Sequence, residues 1–313
     1  MEEKKVVSEL SLRTTGDLID PSRLGHLLTL DERRDRIQKE TVHMSHDFLR
    51  RALLANIGIK RRKPTSENVI WLGCLAVFGM AMQLRSCLWL LDCLGVDYTY
   101  LPEREYCCGW SLREAFKGEE RRRGIEASKY FIGLNIEQAR KLGAKRMYHF
   151  CAWCRAAAGS AFPDVTTDIP QRFYLDLVVE SLKEKPVPLV LQQPTRIAYY
   201  EGCHNRNDRL APEVKFDWPA YRKLLDQVEG LEVVDLPSNS CCVVPAVSER
   251  LVDQAIRAGT SQLITPCPAC WTWLEKVGRR EKFPVKLEPE LLLEAVGFKD
   301  EVTNNWRYGA DRR

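Results

Sequence analysis

The chain has 313 residues, too long for one small domain and suited to two, and its 45% hydrophobic and 29% charged residues describe a soluble globular protein. Its 47 basic and 43 acidic side chains leave a net charge of +4, too slight to indicate nucleic acid, and no run of about 18 apolar residues indicates a membrane span. The opening "MEEKKVVSELSLRTTGDLID" lacks the basic-then-apolar pattern of an export signal, so a cytoplasmic location is expected. Twelve cysteines are then the anomaly, because structural disulfides are rare in a reducing compartment. Thiols that bind metal or do redox chemistry are the main reading.

Residues 1–66 read as a helical N-terminal extension and linker without cysteine. Helices are expected over 21–41 and 45–58, the second with Phe48, Leu49, Leu53 and Ile57 on one face. The region is too thin in apolar residues for its own core and is expected to pack on the rest of the chain or on a partner. His43 and His46 have no cysteine nearby and read as surface residues. "KRRKPTSEN" (60–68) reads as the linker, and the basic "GEERRRG" (118–124) as a solvated helix face.

From residue 67 the chain repeats itself, which divides it into 67–190 and 191–313. "NVIWLGC" (68–74) and "RIAYYEGC" (196–203) are apolar strand candidates ending in Gly-Cys. A helix follows in each half, over 77–95 and 218–230. Strand candidates "VDYTYLP" (96–102) and "LEVVDLP" (231–237) come next, then the pairs Cys107-Cys108 and Cys241-Cys242. After another helix (124–144; 248–259), "KRMYHF" and "SQLITP" lead into Cys151-x-x-Cys154 and Cys267-x-x-Cys270, and amphipathic helices over 169–182 and 287–297 close the halves. Alternating strand and helix implies parallel sheets, with ligands beyond the carboxyl ends of the strands. The cysteines all follow strand candidates, so each half gathers five at one rim: Cys74, Cys107, Cys108, Cys151 and Cys154, then Cys203, Cys241, Cys242, Cys267 and Cys270. Cys87 and Cys93 lie in a helical pattern beside Leu88, Leu90 and Leu91 and read as ordinary buried thiols.

A structural zinc ion takes four ligands and would leave one thiol of each set idle. A cube of four irons also takes four cysteines. Five sulfurs, two of them from consecutive residues, suit an extended, asymmetric cluster in which neighbouring thiolates serve different irons or bridge two.

The pattern C…CC…C-x-x-C, written twice, resembles the cysteine-rich (CCG) domain of the B component of heterodisulfide reductase (HdrB) and of heterodisulfide-reductase-like complexes, over about residues 68–300. The resemblance implies an α/β fold: two repeated parallel-sheet cysteine-rich domains related by pseudo-twofold symmetry, preceded by the short helical extension. It implies two non-cubane 4Fe-4S clusters, one on Cys74, Cys107, Cys108, Cys151 and Cys154 and one on Cys203, Cys241, Cys242, Cys267 and Cys270. A disulfide, or another sulfur bond, is reduced or formed between them. Electrons are expected from an HdrC-like partner with cubane 4Fe-4S clusters and from an HdrA-like partner containing flavin, since this chain has neither a C-x-x-C-x-x-C run nor a G-x-G-x-x-G fingerprint for flavin or nucleotide. The N-terminal extension is a candidate dock for the cubane partner. Two rivals stay open: an electron relay of a lactate- or glycerol-phosphate-type dehydrogenase complex, and a zinc-bearing scaffold.

The halves differ in two respects. The interval from the cysteine pair to C-x-x-C is 42 residues in the first half (109–150) and 24 in the second (243–266). Val243-Val244-Pro245 replaces the glycine turn after the second pair, and valine takes φ > 0 poorly. Beside the cysteines, His204 and His149 are candidate proton donors and Arg206 a candidate anion contact. Trp110, Trp153, Trp271 and Trp273 are candidates for shielding a cluster from water, or for core.

Overall fold

The computed structural model describes residues 28–41, 47–56, 63–101, 104–161, 168–202, 214, 216–238 and 240–298. Two helices come first, α1 (Leu30–Glu40) and α2 (Asp47–Asn56). The first half then runs β1 (Asn68–Trp71), α3 (Cys74–Gly79), α4 (Ala81–Cys93), β2 (Thr99–Tyr100), α5 (Trp110–Glu114), α6 (Gly118–Lys141), β3 (Arg146–His149), α7 (Ala152–Ala161), β4 (Gln171–Phe173) and α8 (Tyr174–Glu184). The second runs β5 (Val190–Tyr199), α9 (Trp218–Asp226), β6 (Glu229–Asp235), α10 (Pro245–Arg257), β7 (Gln262–Thr265), α11 (Pro268–Arg280), β8 (Val285–Leu287) and α12 (Glu288–Ala295).

Each half forms a four-stranded parallel sheet, in the orders β2-β1-β3-β4 and β6-β5-β7-β8. The middles of the central strands are apolar because helices cover both faces: Val69, Ile70 and Trp71 of β1 and Leu263 and Ile264 of β7 are fully buried. Because all strands of a sheet point the same way, the loops that follow them share one rim.

The halves exchange helices reciprocally. α4 of the first packs on α12 of the second, and α9 of the second packs on α8 of the first. Asp176 and Glu290, each the third residue of its half's last helix, accept from the backbone amides of Phe173 (3.0 Å) and Leu287 (2.7 Å). Each also accepts a bond from the opposite half: Tyr221 Oη donates to Asp176 (2.5 Å) and Gln83 Nε2 to Glu290 (3.5 Å). Residue i meeting j while its counterpart meets i's counterpart is the mark of a two-fold relation. Tyr221→Phe removes the bond to the half-buried Asp176 and should cost about 2 kcal/mol in denaturant unfolding. An unchanged midpoint would show that the bond holds nothing.

Several expectations are corrected. The helix expected over 77–95 is two helices, broken at Met80 (φ −145°, ψ 35°), and the first begins on Cys74 itself. Cys87 is buried, but Cys93 is exposed. Six residues turn a helix through about 600°, which carries Cys93 off the apolar face. The first closing helix starts at Tyr174, because Gln171–Phe173 is an edge strand before it, and runs to Glu184; the second follows the edge strand Val285–Leu287 and spans Glu288–Ala295. Arg121, Arg122 and Arg123 are solvent-facing and pair with Glu114, Glu119 and Asp31, as a solvated helix face requires. No helix among the described residues is long and apolar enough to cross a membrane.

α1 opens with a capping box, Thr29 against Glu32, and buries Leu30, Arg33 and Ile37 against α5 and α6. α2 buries Leu54, with Leu49 and Leu53 half-buried, and packs on α3. Of the two placements left open by the sequence, these helices take the one on their own chain. His43, His46, Ile57 and the side chain of Phe48 lie outside the described residues.

Candidate metal centres

In the first half the five cysteines meet at the rim as a row. Cys74 Sγ lies 3.6 Å from Cys107 Sγ. Cys107 neighbours Cys108, Cys108 neighbours Cys154, and Cys154 neighbours Cys151. The consecutive cysteines thus face opposite ends: Cys107 turns to Cys74, while Cys108 turns to the C-x-x-C motif. The second half repeats the order, with Cys241 against Cys242, Cys242 against Cys270 and Cys270 against Cys267. Cys203, His204 and Arg206 lie outside the described residues. The residue before Cys203, Gly202, stands where its counterpart Gly73 stands: a Cβ on Gly202 would lie 3.5 Å from Cys270 Sγ, and one on Gly73 would lie 3.3 Å from Cys154 Sγ. Both have positive φ, +100° at Gly202 and +83° at Gly73, so glycine both makes the turn into the cysteine and leaves room beside the sulfur.

Helix geometry aims the C-x-x-C pairs. Cys151 and Cys267 immediately precede α7 and α11, and their carbonyls accept from Arg155 N and Trp271 N at 3.0 Å each. Three residues apart at a helix start, the two sulfurs of each motif share a face, and the positive helix end lies beside them.

The second cysteine of each pair is held by a serine. Ser128 of α6 donates to the Cys108 carbonyl (2.6 Å), and Ser248 of α10 donates to the Cys242 carbonyl. Gly109 (φ +72°) passes so close to α6 that a Cβ there would meet Ser128 Cα at 3.0 Å. In the second half Val243 is not left-handed, so the turn is rebuilt: Val244 N donates to Cys241 O (3.2 Å), and Val243 and Val244 are exposed. The longer first interval is accounted for by α5 and the 24-residue α6, against the 13-residue α10.

The walls differ too. Trp110 and Trp153 stack with centroids 6.0 Å apart, and Arg113 lies over Trp110 at 5.7 Å. Their positions in the second half hold Val244 and Ala269. Trp271 is core, donating to Val285 O (3.0 Å), while Trp273 sits under Lys276 at 4.7 Å. His149 is fully buried at the end of β3, against Trp71 (5.0 Å) and hydrogen-bonded to Gln171 (2.7 Å). Burial, helped by Arg155, pulls its pKa down to about 3.

Sequence reasoning missed Glu105. Fully enclosed, it accepts from Leu72 N (2.9 Å) and Gly73 N (2.7 Å) and pairs with Arg50 (3.4 Å). It thereby ties the turn into Cys74 to the segment carrying Cys107 and Cys108. The available signal was an acid two residues before the pair. Burial pushes its carboxyl upward, and Arg50 and the two amides oppose that.

The donor set decides what fits. The neighbouring sulfur, Cys107 for Cys108 and Cys108 for Cys154, joins burial in holding these thiols well above the usual range. Cys241 and Cys242 do the same for Cys242 and Cys270. Crowded, buried thiols become thiolates only beside a cationic group. A row of sulfurs with its middle pair facing both ways fits a group of several metal atoms, and iron–sulfur groups are held by such thiolates.

Comparison with known families settles the lineage. The cysteine-rich domain family (CCG) matches residues 69–157 and again 197–275, one copy on each sheet. The chain belongs to this family. Its two cysteine-rich domains also align with curated proteins. The chain is 26% identical over 262 residues to the D component of the dihydromethanophenazine:CoB--CoM heterodisulfide reductase of Methanosarcina barkeri, covering 74% of this chain and 60% of that protein. It is 23% identical over 256 residues to the Methanosarcina mazei protein of the same name, covering 75% and 60%. These relatives are D components, where the cysteine pattern suggested HdrB, and the chain spans about three fifths of their length. In fold alone, the cysteine-rich domains resemble a crystal structure of a hypothetical protein from Helicobacter pylori, with TM-score 0.55 and 13% identity over 81% of this chain and 54% of that one.

Proposed function

We propose that the chain is a redox component of a heterodisulfide-reductase-like complex, holding two non-cubane 4Fe-4S clusters and reducing or forming a disulfide or related sulfur bond. The first cluster is assigned to Cys74, Cys107, Cys108, Cys151 and Cys154, and the second to Cys203, Cys241, Cys242, Cys267 and Cys270. The observation that supports this is the row of sulfurs in the first half, whose consecutive cysteines face opposite ends, with the Cys241, Cys242, Cys270, Cys267 part of the same order recurring in the second. When bound, such clusters supply one-electron redox change and irons able to take a sulfur ligand.

The chain's own residues set the conditions. The starts of α7 and α11 offset negative charge on the thiolates, and the Trp110–Trp153 stack keeps water from the first site. His204 is the candidate proton donor to a departing thiolate, and Arg206 the candidate contact for an anionic substrate group. With ten cysteines in the two sets, only Cys87 and Cys93 remain, too few for a four-cysteine cubane. The electron source therefore lies outside these 313 residues, in the cubane-bearing and flavin-containing partners that the heterodisulfide reductase resemblance implies.

Anaerobic electron paramagnetic resonance of the reduced protein tests the reading. A new paramagnetic signal is expected only when a disulfide is added. No response to any thiol or disulfide, in protein carrying its full iron, would remove the sulfur chemistry and leave a relay.

A further inference from the structure

The N-terminal helices have no counterpart in the second half, where the repeat begins directly at β5. They are joined to one stretch above all, residues 101–113, which carries the first cysteine pair. Thr41, the buried left-handed residue that ends α1 (φ 64°), accepts from Cys107 N at 2.7 Å. Arg104 donates to two more carbonyls of the α1 end, Gln38 O (3.3 Å) and Lys39 O (3.4 Å). Arg33, 3% exposed, reaches Ser111 O (3.1 Å). From α2, Arg50 is 1% exposed and donates to Leu101 O (3.3 Å) while pairing with Glu105.

Glu105 completes the connection, because its two oxygens take the amides of Leu72 and Gly73 just before Cys74. One buried carboxylate thus spans the turn into Cys74 and the approach to Cys107, and Arg50 is the cation that makes it tenable at that depth. An unpaired charge there is strongly destabilising. The second half is built otherwise. Two residues before its pair stands neutral Asn239. At the position of Leu72 stands Glu201, which accepts from Ser238 Oγ at 3.2 Å.

We propose that α1 and α2 form a strap dedicated to the first cysteine set, in which Arg50 and Glu105 are positioning residues that fix Cys74 against Cys107 and Cys108. The two sites are therefore inequivalent, the first depending on the N-terminal strap and the second not. This rests on the reading that the cysteine sets hold iron–sulfur clusters.

The test uses the full chain, reconstituted anaerobically, as Arg50→Met, Glu105→Gln and the double variant. Iron and sulfide per chain, melting temperature and the redox midpoint of each paramagnetic signal are measured. Cys108→Ala and Cys242→Ala serve to assign the signals. Each single variant should lose iron from the first site, toward half the wild-type content, or shift that site's midpoint, with the second signal unmoved. The double variant removes both charges, so its melting temperature should recover. Its first-site signal should stay altered, because glutamine cannot accept from both amides. Full iron with both signals unmoved, equal loss from both sites, or recovery of the first-site signal in the double variant would each overturn the strap. Wild-type protein without iron and sulfide would instead overturn the cluster reading beneath it.

Discussion

Alanine at Cys108 is expected to halve the iron content of the anaerobically reconstituted protein while leaving the second site filled. Cys108 is the link between the Cys74–Cys107 end of the row and the C-x-x-C end, so its loss divides the set into two pairs. The backbone has reason to stay, because Ser128 holds the Cys108 carbonyl and Gly109 remains pressed on α6. Truncating one sulfur costs about 1–2 kcal/mol in packing, which is small beside the loss of a multi-iron group. Cys242→Ala should remove the complementary half, since Cys242 links Cys241 to Cys270. Cys87→Ala is the control. That thiol is buried in α4 and belongs to neither five-cysteine set, and its removal should leave iron content unchanged. Iron and acid-labile sulfide analysis with melting curves checks all three. Full iron in Cys108→Ala would remove the consecutive cysteines from the site.

Glu288→Gln is expected to stabilise the protein at neutral pH and to flatten its loss of stability on going from pH 5 to pH 8. Glu288 opens α12, is fully buried, accepts from Tyr199 Oη at 3.1 Å, and among the described residues has no hydrogen-bond partner on Oε1. Burial pushes its pKa up to about 8, against the opposing pull of the Tyr199 bond and of Arg222. The folded chain therefore keeps a proton that the unfolded chain releases above about pH 4.5. The favourable contribution is complete below that pH and is lost as pH rises toward 8. A shift of this size corresponds to at most about 4–5 kcal/mol, of which about 3 kcal/mol is already lost at pH 7. Glutamine keeps an acceptor for Tyr199 and cannot ionise, so the variant should gain on wild type across this window and match it near pH 4.5. Denaturant unfolding at several pH values reads this directly, and parallel wild-type and variant curves would contradict it.

Much of the fold was legible because its repeat is written in residues that physics restricts. Gly73-Cys74 and Gly202-Cys203 close apolar strands, and the C-x-x-C motifs open helices, so strand order and the sulfur rim follow from the pattern. What escaped it was too short or too distant to leave a period. Gln171–Phe173 and Val285–Leu287 are three residues each, below the length at which alternation is visible. Ser128 and Ser248 do the same work at different separations from their cysteines, 20 residues and 6, so comparison of the halves could not pair them. The partners of Glu105 are backbone amides and an arginine 55 residues earlier, and neither leaves a mark on local sequence. Val243 was read correctly as unable to make the glycine turn. The structure adds that the chain turns with the other hand there and exposes Val243 and Val244.

The most direct measurement is an anomalous X-ray map, collected at the iron edge from anaerobically grown crystals of the full chain. Two multi-iron constellations are expected, one per half, each in bonding contact with both sulfurs of its consecutive pair and with its C-x-x-C motif. A lone tetrahedral ion in each half, or either pair standing clear of the metal, would contradict it.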